Sequence, residues 1–345
     1  MPSPSPATPQ PSPAPGSIGH RTVRDRRLAS VATRALADEL VARIRSEDSA
    51  AASTPQIQRF LGLLSAELVL RTRSHENRFS PTRSSALLSR IQEHPDFSWD
   101  RLRGATCIDV GCGSLNPLGP LFVLVLHGAA RGIGIDADPV QNPALAARAV
   151  FDAAAEVWAR VVRRDRDTEI ADLTERLRSF DLVRLANGDP SGADFERLEF
   201  RCSLVHEAGL ADGEADIVFS TSFLEHVPDP ATVIESLARA SRPGALHVHA
   251  IDGTDHRRYS DPDRHPLDFY REVTEDPLCG GCNRVPVDDY AGMFEAAGFE
   301  IRESRINRRV PLTDEEVATF APMFRDRPRE LLENASRTYF LRRRG

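Results

Sequence analysis

Three polar side chains that could move a proton lie just past the ends of predicted strands. His226 follows a strand predicted at 217–221, and Asp252 and His256 follow a strand predicted at 245–251. In an open α/β sheet, ligands bind in the crevice beyond the carboxyl ends of the strands. Because imidazole and carboxylate groups can act as general bases, we take His226, Asp252 and His256 as candidate catalytic residues, with His226 as the first candidate base. The alternative is a His226 ring that only hydrogen-bonds to a neighbouring carboxylate or to backbone.

A glycine turn indicates where a nucleoside-type ligand would bind. The stretch IDVGCG places Asp109 in a buried strand and Gly111 and Gly113 in the turn that follows, and Asp136 ends the next strand. Backbone N–H groups of such a turn can approach a ligand, and a carboxylate at the next strand end can accept from two ribose hydroxyls. A dinucleotide-binding turn has a third glycine, which is Asn116 here. This substitution weakens the prediction of a nicotinamide or flavin cofactor.

The sequence from residue 104 onward alternates strand and helix. This order predicts a Rossmann-like α/β fold, with a parallel sheet and helices on both faces. The parallel strands are predicted at 106–110, 131–136, 199–203, 217–221 and 245–251, and a C-terminal antiparallel pair at 299–307 and 338–343. The helices are predicted at 117–127, 143–162, near 169–181 and at 230–240. His247 and His249 share one face of their strand because side chains alternate, and we expect His247 to be a hydrogen-bonded core residue.

The chain is predicted to have three parts. Residues 1–20 are rich in Pro, Ser and Ala, and we expect them to be disordered because they cannot bury enough apolar surface to offset their ordering entropy. Residues 21–100 are expected to form a helical N-terminal cap, with helices at 28–44, from 54 and at 84–91. This cap would serve as a lid or a homodimer surface, or would only pack on the sheet edge. Residues 101–345 hold the sheet, and the loop-rich stretch 253–295 is predicted to face the substrate.

Composition and cysteine usage exclude several classes of protein. The net charge of −7 disfavours a nucleic-acid partner, and no apolar run approaches the ~20 residues of a membrane helix. Five scattered cysteines do not form a disulfide framework and favour a reducing, cytoplasmic setting. Cys279 and Cys282 form a single CxxC, and a zinc site would need further ligands, for which His256 and His265 lie upstream. We expect a glycine turn with two free thiols and no metal, with zinc as the alternative.

Four segments in this order resemble the class I S-adenosylmethionine-dependent methyltransferases. They are IDVGCG, IGIDADP, ADIVFSTSFLEHVPDP and RPGALHVHAID, and they span about residues 104–252. The resemblance implies that Asp109, Gly111 and Gly113 hold the amino-acid end of the cofactor and that Asp136 holds its ribose. It also implies that Ser220 begins the loop facing the methionyl group. The place of the family's adenine-binding Asp falls at Ser203 or Leu204, where a serine hydroxyl could accept the bond.

The LEHVPDP segment is also similar to the quinone-pathway O-methyltransferases. Those enzymes carry a further Glu three residues before their Glu-His pair, and this trio is associated with a divalent metal. The matching position here is Ser222, beside Glu225 and His226. Because one of the three ligands is missing, we expect no metal at this trio.

The resemblance implies a cytoplasmic enzyme with S-adenosylmethionine as cofactor. It implies transfer of a methyl group to an oxygen, or a nitrogen, of a small molecule from natural-product or glycan biosynthesis. We expect neither a nucleic acid nor a membrane as partner, and a homodimer through the N-terminal helices. Two alternatives are a nicotinamide-dependent oxidoreductase and a non-catalytic cofactor-binding regulatory protein on the same fold. The sequence does not name the acceptor.

Overall fold

The computed structural model describes residues 81–162 and 167–345. The predicted tail, the helices predicted at 28–44 and from 54, and the proposed homodimer surface therefore lie outside the described residues. The helix predicted at 84–91 falls within helix α1, Pro81–Gln92. In the part of the chain that is described, no helix is long and apolar enough to cross a membrane.

Seven strands form one sheet in the described residues. They are β1 Thr106–Val110, β2 Arg131–Asp136, β3 Leu198–Cys202, β4 Ala215–Thr221, β5 Ser241–Asp252, β6 Phe299–Arg309 and β7 Asn334–Arg343. Their order across the sheet is β3-β2-β1-β4-β5-β7-β6. Strands β1 to β5 are parallel to one another, and β7 runs antiparallel to both β5 and β6. The predicted Rossmann-like sheet and the C-terminal antiparallel strand pair are confirmed.

The helices that follow α1 cover both faces of the sheet. They are α2 Trp99–Leu102, α3 Gly119–Leu126, α4 Pro143–Val162, α5 Asp167–Leu177, α6 Leu182–Ala186, α7 Pro230–Ala240, α8 Tyr290–Ala296, α9 Asp314–Ala318, α10 Pro322–Arg325 and α11 Arg329–Leu332. One apolar core lies between the sheet and α1, α3 and α4, and a second lies between the sheet and α7 and α8. A third, smaller core fills the region of 267–335.

Local sequence explains where the two helices beside the ligand crevice begin. Asn116 stands where a third glycine was expected, and its Oδ1 accepts a hydrogen bond from Gly119 N at 3.1 Å at the first turn of α3. Asp229 caps α7, because its carboxylate accepts from Thr232 N and Pro230 occupies the first helical position. Each residue stabilises the first turn of a helix that follows a strand whose carboxyl end faces the crevice.

A chain of buried hydrogen bonds runs through the core below the crevice. Ser241 Oγ donates to the Leu237 carbonyl at 2.6 Å and lies 2.8 Å from His247 Nε2. His247 Nδ1 lies 3.2 Å from His249 Nε2, and His249 Nδ1 lies 2.8 Å from Ser220 Oγ. The direction of the first bond sets all the others, so each ring donates through Nε2 and accepts through Nδ1. Both histidines are neutral, and the prediction that His247 is a hydrogen-bonded core residue is confirmed.

Candidate functional site

A cleft of about 720 Å³ lies at the carboxyl ends of β1, β2 and β4. Its wall includes six of the ten residues predicted to act in the site: Gly111, Gly113, Asp136, Ser203, Leu204 and His226. Small-molecule sites usually have volumes of roughly 300–1,000 Å³. The structure therefore brings six of the predicted residues together on one cleft of suitable size.

The glycine turn forms one end of this cleft. Gly111 has a φ of 68°, and a Cβ at this position would lie 2.3 Å from the Phe223 ring. Gly113 has a φ of 79°, and a Cβ there would meet no atom within 4 Å. The N–H groups of Gly111 and Cys112 donate to the Ile135 carbonyl, which ties the turn to the end of β2. The turn thus brings backbone close to the open cleft in a conformation that favours glycine.

Asp136 is held in place by backbone and keeps capacity for a ligand. Its Oδ2 accepts from Gly113 N at 2.8 Å, and its Oδ1 accepts from Asp138 N at 3.0 Å. Each carboxylate oxygen has further lone-pair capacity beyond the bond it accepts. A carboxylate fixed in this way, with a glycine turn beside it, matches the arrangement that two ribose hydroxyls require.

Two predicted cofactor residues lie behind the cleft rather than on its wall. Asp109 is buried at the penultimate position of β1, and Ser220 is buried near the end of β4. The Ser220 hydroxyl is used in the bond to His249. The wall that follows β4 is formed instead by Ser222 and Phe223. Ser222 has a φ of 50°, a conformation that costs energy for a non-glycine residue and that is concentrated at functional sites.

The predicted adenine contact lies on the opposite wall. Ser203 is half-buried and its hydroxyl donates to the carbonyl of Leu204 at 3.0 Å. Since that donation uses only the proton, the hydroxyl oxygen can still accept a bond from an amino group. Leu204 is 49% exposed although its side chain is apolar, and it lines the cleft. An exposed apolar side chain at this place suits contact with a flat aromatic ring.

The structure brings the three candidate catalytic residues together at the other end of the cleft. The ring centroids of His226 and His256 are 4.8 Å apart, and Asp252 Oδ2 lies 3.7 Å from His256 Nε2. His226 Nδ1 donates to the Gly281 carbonyl at 2.7 Å, so its Nε2 keeps a free lone pair. The backbone hydrogen bond that we named as an alternative for His226 is therefore present, and its acceptor belongs to a distant loop. Asp252 and His256 are not part of the cleft wall itself.

Burial and neighbouring charges shift the protonation of this group in different directions. The pKa of His226 is lowered, chiefly because the protein partly shields the ring from water. Burial also disfavours the charge on His256, but Asp252 and Cys282 outweigh it and raise the pKa of His256 to about 10. Burial alone would raise the pKa of Asp252, but the His256 ring 3.7 Å away and a bond from Thr254 lower it to about 2. At neutral pH, His226 is therefore the neutral ring of the group.

Glu225 lies beside Asp252, but its pKa is shifted in the opposite direction. Its side chain is 2% exposed, and burial raises its pKa to about 7. Its Oε1 accepts from Asp252 N at 3.1 Å, while its Oε2 has no hydrogen-bond partner among the described residues. Glu225 thus supports the end of β5 and does not line the cleft.

The group also contains Cys282, for which the sequence offered zinc binding only as the alternative to a free thiol. One ligand atom from each of His226, His256 and Cys282 lies within 4.8 Å of the others. Cys282 is buried and reduced, and its partner in the CxxC, Cys279, is also reduced. No spacing rule links positions 226, 256 and 282, so only the packing of the 253–295 loop brings them together.

The loop that carries Cys282 is attached to the turn after β4. Asn283 Nδ2 donates to the carbonyls of Leu224 and Val227 at 2.8 and 2.9 Å. Asn283 N donates to the Glu225 carbonyl at 2.8 Å, and Tyr290 Oη lies 3.0 Å from Asn283 Nδ2. These bonds fix the loop against the segment that carries His226.

A second cavity, of about 420 Å³, adjoins the first at Ser222. It is lined by Asp252, by residues of β6 and β7, and by Arg90 and Glu93. The Arg90 guanidinium donates to Thr221 Oγ1 at 2.9 Å. This polar cavity extends the candidate site toward the helical segment that precedes the sheet.

Comparison with known families agrees with this geometry. The model of a methyltransferase-domain family matches residues 77–304. The match includes the glycine turn, Asp136, His226 and Cys282. It extends over more than half of the chain.

Similarity to individual proteins is more local. The chain is 43% identical over 49 residues to a ubiquinone biosynthesis O-methyltransferase of Hahella chejuensis, which covers 14% of this chain and 21% of that protein. The chain thus spans about a fifth of the length of this curated relative. A chain from a complex of the Haloferax volcanii Trm112 methyltransferase activator with a proposed methyltransferase is 16% identical. That alignment covers 82% of this chain and 98% of the other, with a TM-score of 0.41. An S-adenosylmethionine-dependent methyltransferase of Mesorhizobium loti is 15% identical over 70% of this chain and 93% of its own, with a TM-score of 0.36.

Proposed function

The chain belongs to the methyltransferase-domain family matched over residues 77–304, whose methyl donor is S-adenosylmethionine, and we propose that it methylates an oxygen atom of a small molecule. A nitrogen acceptor is the second choice. We further propose a cytoplasmic role in natural-product or glycan biosynthesis, supported by the resemblance of the 253–295 loop to enzymes of those pathways and by the reduced cysteines.

The residues of the cleft fit the cofactor. The open space at Gly113 and the remaining lone pairs of Asp136 suit its methionyl and ribose parts, and the exposed Leu204 suits the adenine. The bound cofactor supplies a methyl group activated by a positively charged sulfur. The protein has to hold the acceptor in line with that methyl group and to exclude water.

One observation carries the proposal: His226 lines the cofactor cleft while its Nδ1 is fixed by the Gly281 carbonyl. The fixed ring presents Nε2 as the acceptor of a proton, and its lowered pKa keeps it unprotonated at neutral pH. Asp252 and His256 lie behind it and would position the ring and the acceptor. Removal of the acceptor's hydroxyl proton is then the step that this chain contributes.

The test combines cofactor binding with transfer of a labelled methyl group. We expect the full chain to bind S-adenosylmethionine in calorimetry and to label members of a small-molecule pool. Asp136→Ala removes charge-assisted bonds worth about 1.5–3 kcal/mol each, so binding should weaken at least about 100-fold. Asp136→Asn, which keeps the shape and one acceptor oxygen, should lose less.

The outcomes separate the proposal from its alternatives. Binding without transfer to any compound in the pool would favour the non-catalytic regulatory protein. Transfer only to a protein or nucleic acid would contradict the small-molecule acceptor. Asp136→Ala binding within threefold of the unaltered chain would remove Asp136 from the cofactor site.

A further inference from the structure

The group of His226, His256 and Cys282 contains more ligand atoms than a proton-transfer site needs. Two imidazole nitrogens and one thiol sulfur lie within 4.8 Å of one another. A tetrahedral zinc ion with ordinary bonds of about 2.0–2.3 Å would hold such atoms about 3.5 Å apart. A closure of roughly 1 Å, within reach of side-chain rotation, therefore brings the three atoms to coordinating distance.

We propose that His226, His256 and Cys282 form a zinc site at the acceptor end of the cofactor cleft. A thiolate with two imidazoles is a soft-to-borderline donor set, which selects zinc over magnesium or calcium. Three protein ligands leave one position of a tetrahedral ion open, as in catalytic zinc sites. This ligand set shares only His226 with the Glu-Glu-His trio of the quinone-pathway enzymes, and Glu225 faces the end of β5 instead.

The surroundings of the three ligands favour this use. His226 Nδ1 donates to the Gly281 carbonyl at 2.7 Å, an outer contact that orients metal-binding histidines and leaves Nε2 to the ion. His256 Nε2 is buried without a hydrogen-bond partner among the described residues. The Asp252 carboxylate, 3.7 Å from that nitrogen, adds negative charge near the ion.

The two cysteines of the CxxC have different surroundings. Cys282 Sγ makes a weak contact, 3.6 Å long, to the Thr254 carbonyl and lies within 4.8 Å of a ring nitrogen of His226 and of His256. Cys279 Sγ instead donates to Glu272 Oε2 at 3.1 Å and belongs to the neighbouring Arg257–Glu272 ion pair. The CxxC therefore supplies one ligand rather than two, and Cys279 provides a matched control.

The use of the metal rests on the proposed function. Because His226 lines the cofactor cleft, the open position of the ion lies where an acceptor hydroxyl would enter. With zinc bound, the ion rather than the free His226 ring would hold that oxygen and lower the pKa of its hydroxyl. The hydroxyl proton would pass to solvent.

The experiment measures metal binding apart from activity. The full chain is stripped with a chelator and titrated with Zn²⁺ against a coloured chelator, and then with Co²⁺ as a spectroscopic substitute. We expect one equivalent per chain and a thiolate-to-cobalt charge-transfer band. Cys282→Ser should abolish the band and weaken zinc binding at least about 100-fold, whereas Cys279→Ser should change neither.

Two further results decide the assignment. His256→Gln, at a half-buried side chain, should also weaken zinc binding while S-adenosylmethionine binding is retained; this variant covers the case in which Cys282→Ser fails to fold. Absence of stoichiometric zinc, or equal loss in Cys279→Ser and Cys282→Ser, would overturn the site. A chain that methylates small molecules without binding zinc would refute the metal site alone, and a chain that binds zinc but methylates no small molecule would refute the proposed function alone.

Discussion

The two ends of the cleft are built in different ways. The cofactor end is made of backbone and one carboxylate from two adjacent strands, β1 and β2, joined by hydrogen bonds of the Gly111–Gly113 turn. At the acceptor end only His226 lines the cleft, and the side chains at 252, 256 and 282 that group with it come from β5 and from loops. A backbone-made end leaves a local signature in the sequence, whereas side chains from distant segments show their grouping only in the fold.

The largest expected effect tests the acceptor end through His226. His226→Gln removes the fixed lone pair at the cleft, and loss of such a proton acceptor lowers turnover by about 10²–10⁴-fold. S-adenosylmethionine affinity should change less than about threefold, because the groups assigned to the cofactor are at the other end. Turnover and calorimetry on the same preparation measure both quantities.

His206 supplies the control for that variant. It also lines the cleft but lies outside the His226–His256–Cys282 group. His206→Gln should therefore leave turnover within a few-fold of the unaltered chain. If His206→Gln and His226→Gln are equally impaired, the acceptor end has been placed on the wrong wall.

The next effect tests the backbone-made end. Gly111→Ala requires a strained φ of 68° and places a Cβ 2.3 Å from the Phe223 ring, so we expect unfolding free energy to fall by about 3 kcal/mol. Gly113→Ala has the strain without the overlap and should lose about 1 kcal/mol. Urea denaturation followed by circular dichroism measures both. Equal losses would show that Phe223 gives way and that Gly111 is not needed for close packing.

A further effect concerns the core below both ends and separates loss of fold from loss of site. Burial lowers the pKa of His249 to about 3 and that of His247 well below its ordinary value of 6.5. Below pH 6.5 the unfolded chain binds protons that the folded chain does not, so stability falls as pH falls. The slope approaches about 1.4 kcal/mol per pH unit for each ring.

Urea denaturation between pH 7.5 and 4.5 measures that dependence. His249→Asn keeps a polar group near Ser220 and removes one titrating ring, so its slope should be smaller than that of the unaltered chain. An unchanged slope would mean that other groups account for the acid sensitivity. If activity falls with pH in parallel with stability, the loss of activity reflects unfolding and does not report on either end of the cleft.

The strands of the fold were predictable because a buried strand requires a run of apolar residues in the sequence. Strands β1 and β2 match their predicted bounds, and their side chains are nearly all buried; a run of apolar residues bounded by glycines is typical of such strands. The predicted start of β5 at residue 245 was late, since the strand begins at Ser241. The reason is that Pro243 and Gly244 lie inside the strand, where both residues usually mark an end.

The site was predictable in part. Gly111, Gly113 and Asp136 line the cleft as expected, whereas Ser220 is buried within β4 and its hydroxyl is bonded to His249. Phe223 was not predicted, and Cys282 was named only as half of a CxxC with zinc as the alternative. Phe223 matters only because it faces Gly111, and Cys282 only because the 253–295 loop folds back onto the turn after β4. Neither relation is expressed as a spacing along the chain.

The attachment of the Cys282 loop by Asn283 bears on how the acceptor end meets its ligand. Its three hydrogen bonds to Leu224, Glu225 and Val227 join two segments that are more than fifty residues apart in sequence. The conformational entropy of bringing these segments together is lost when the protein folds, not when the acceptor arrives. An acceptor therefore meets a preorganised surface, and its binding energy remains available for alignment with the methyl group.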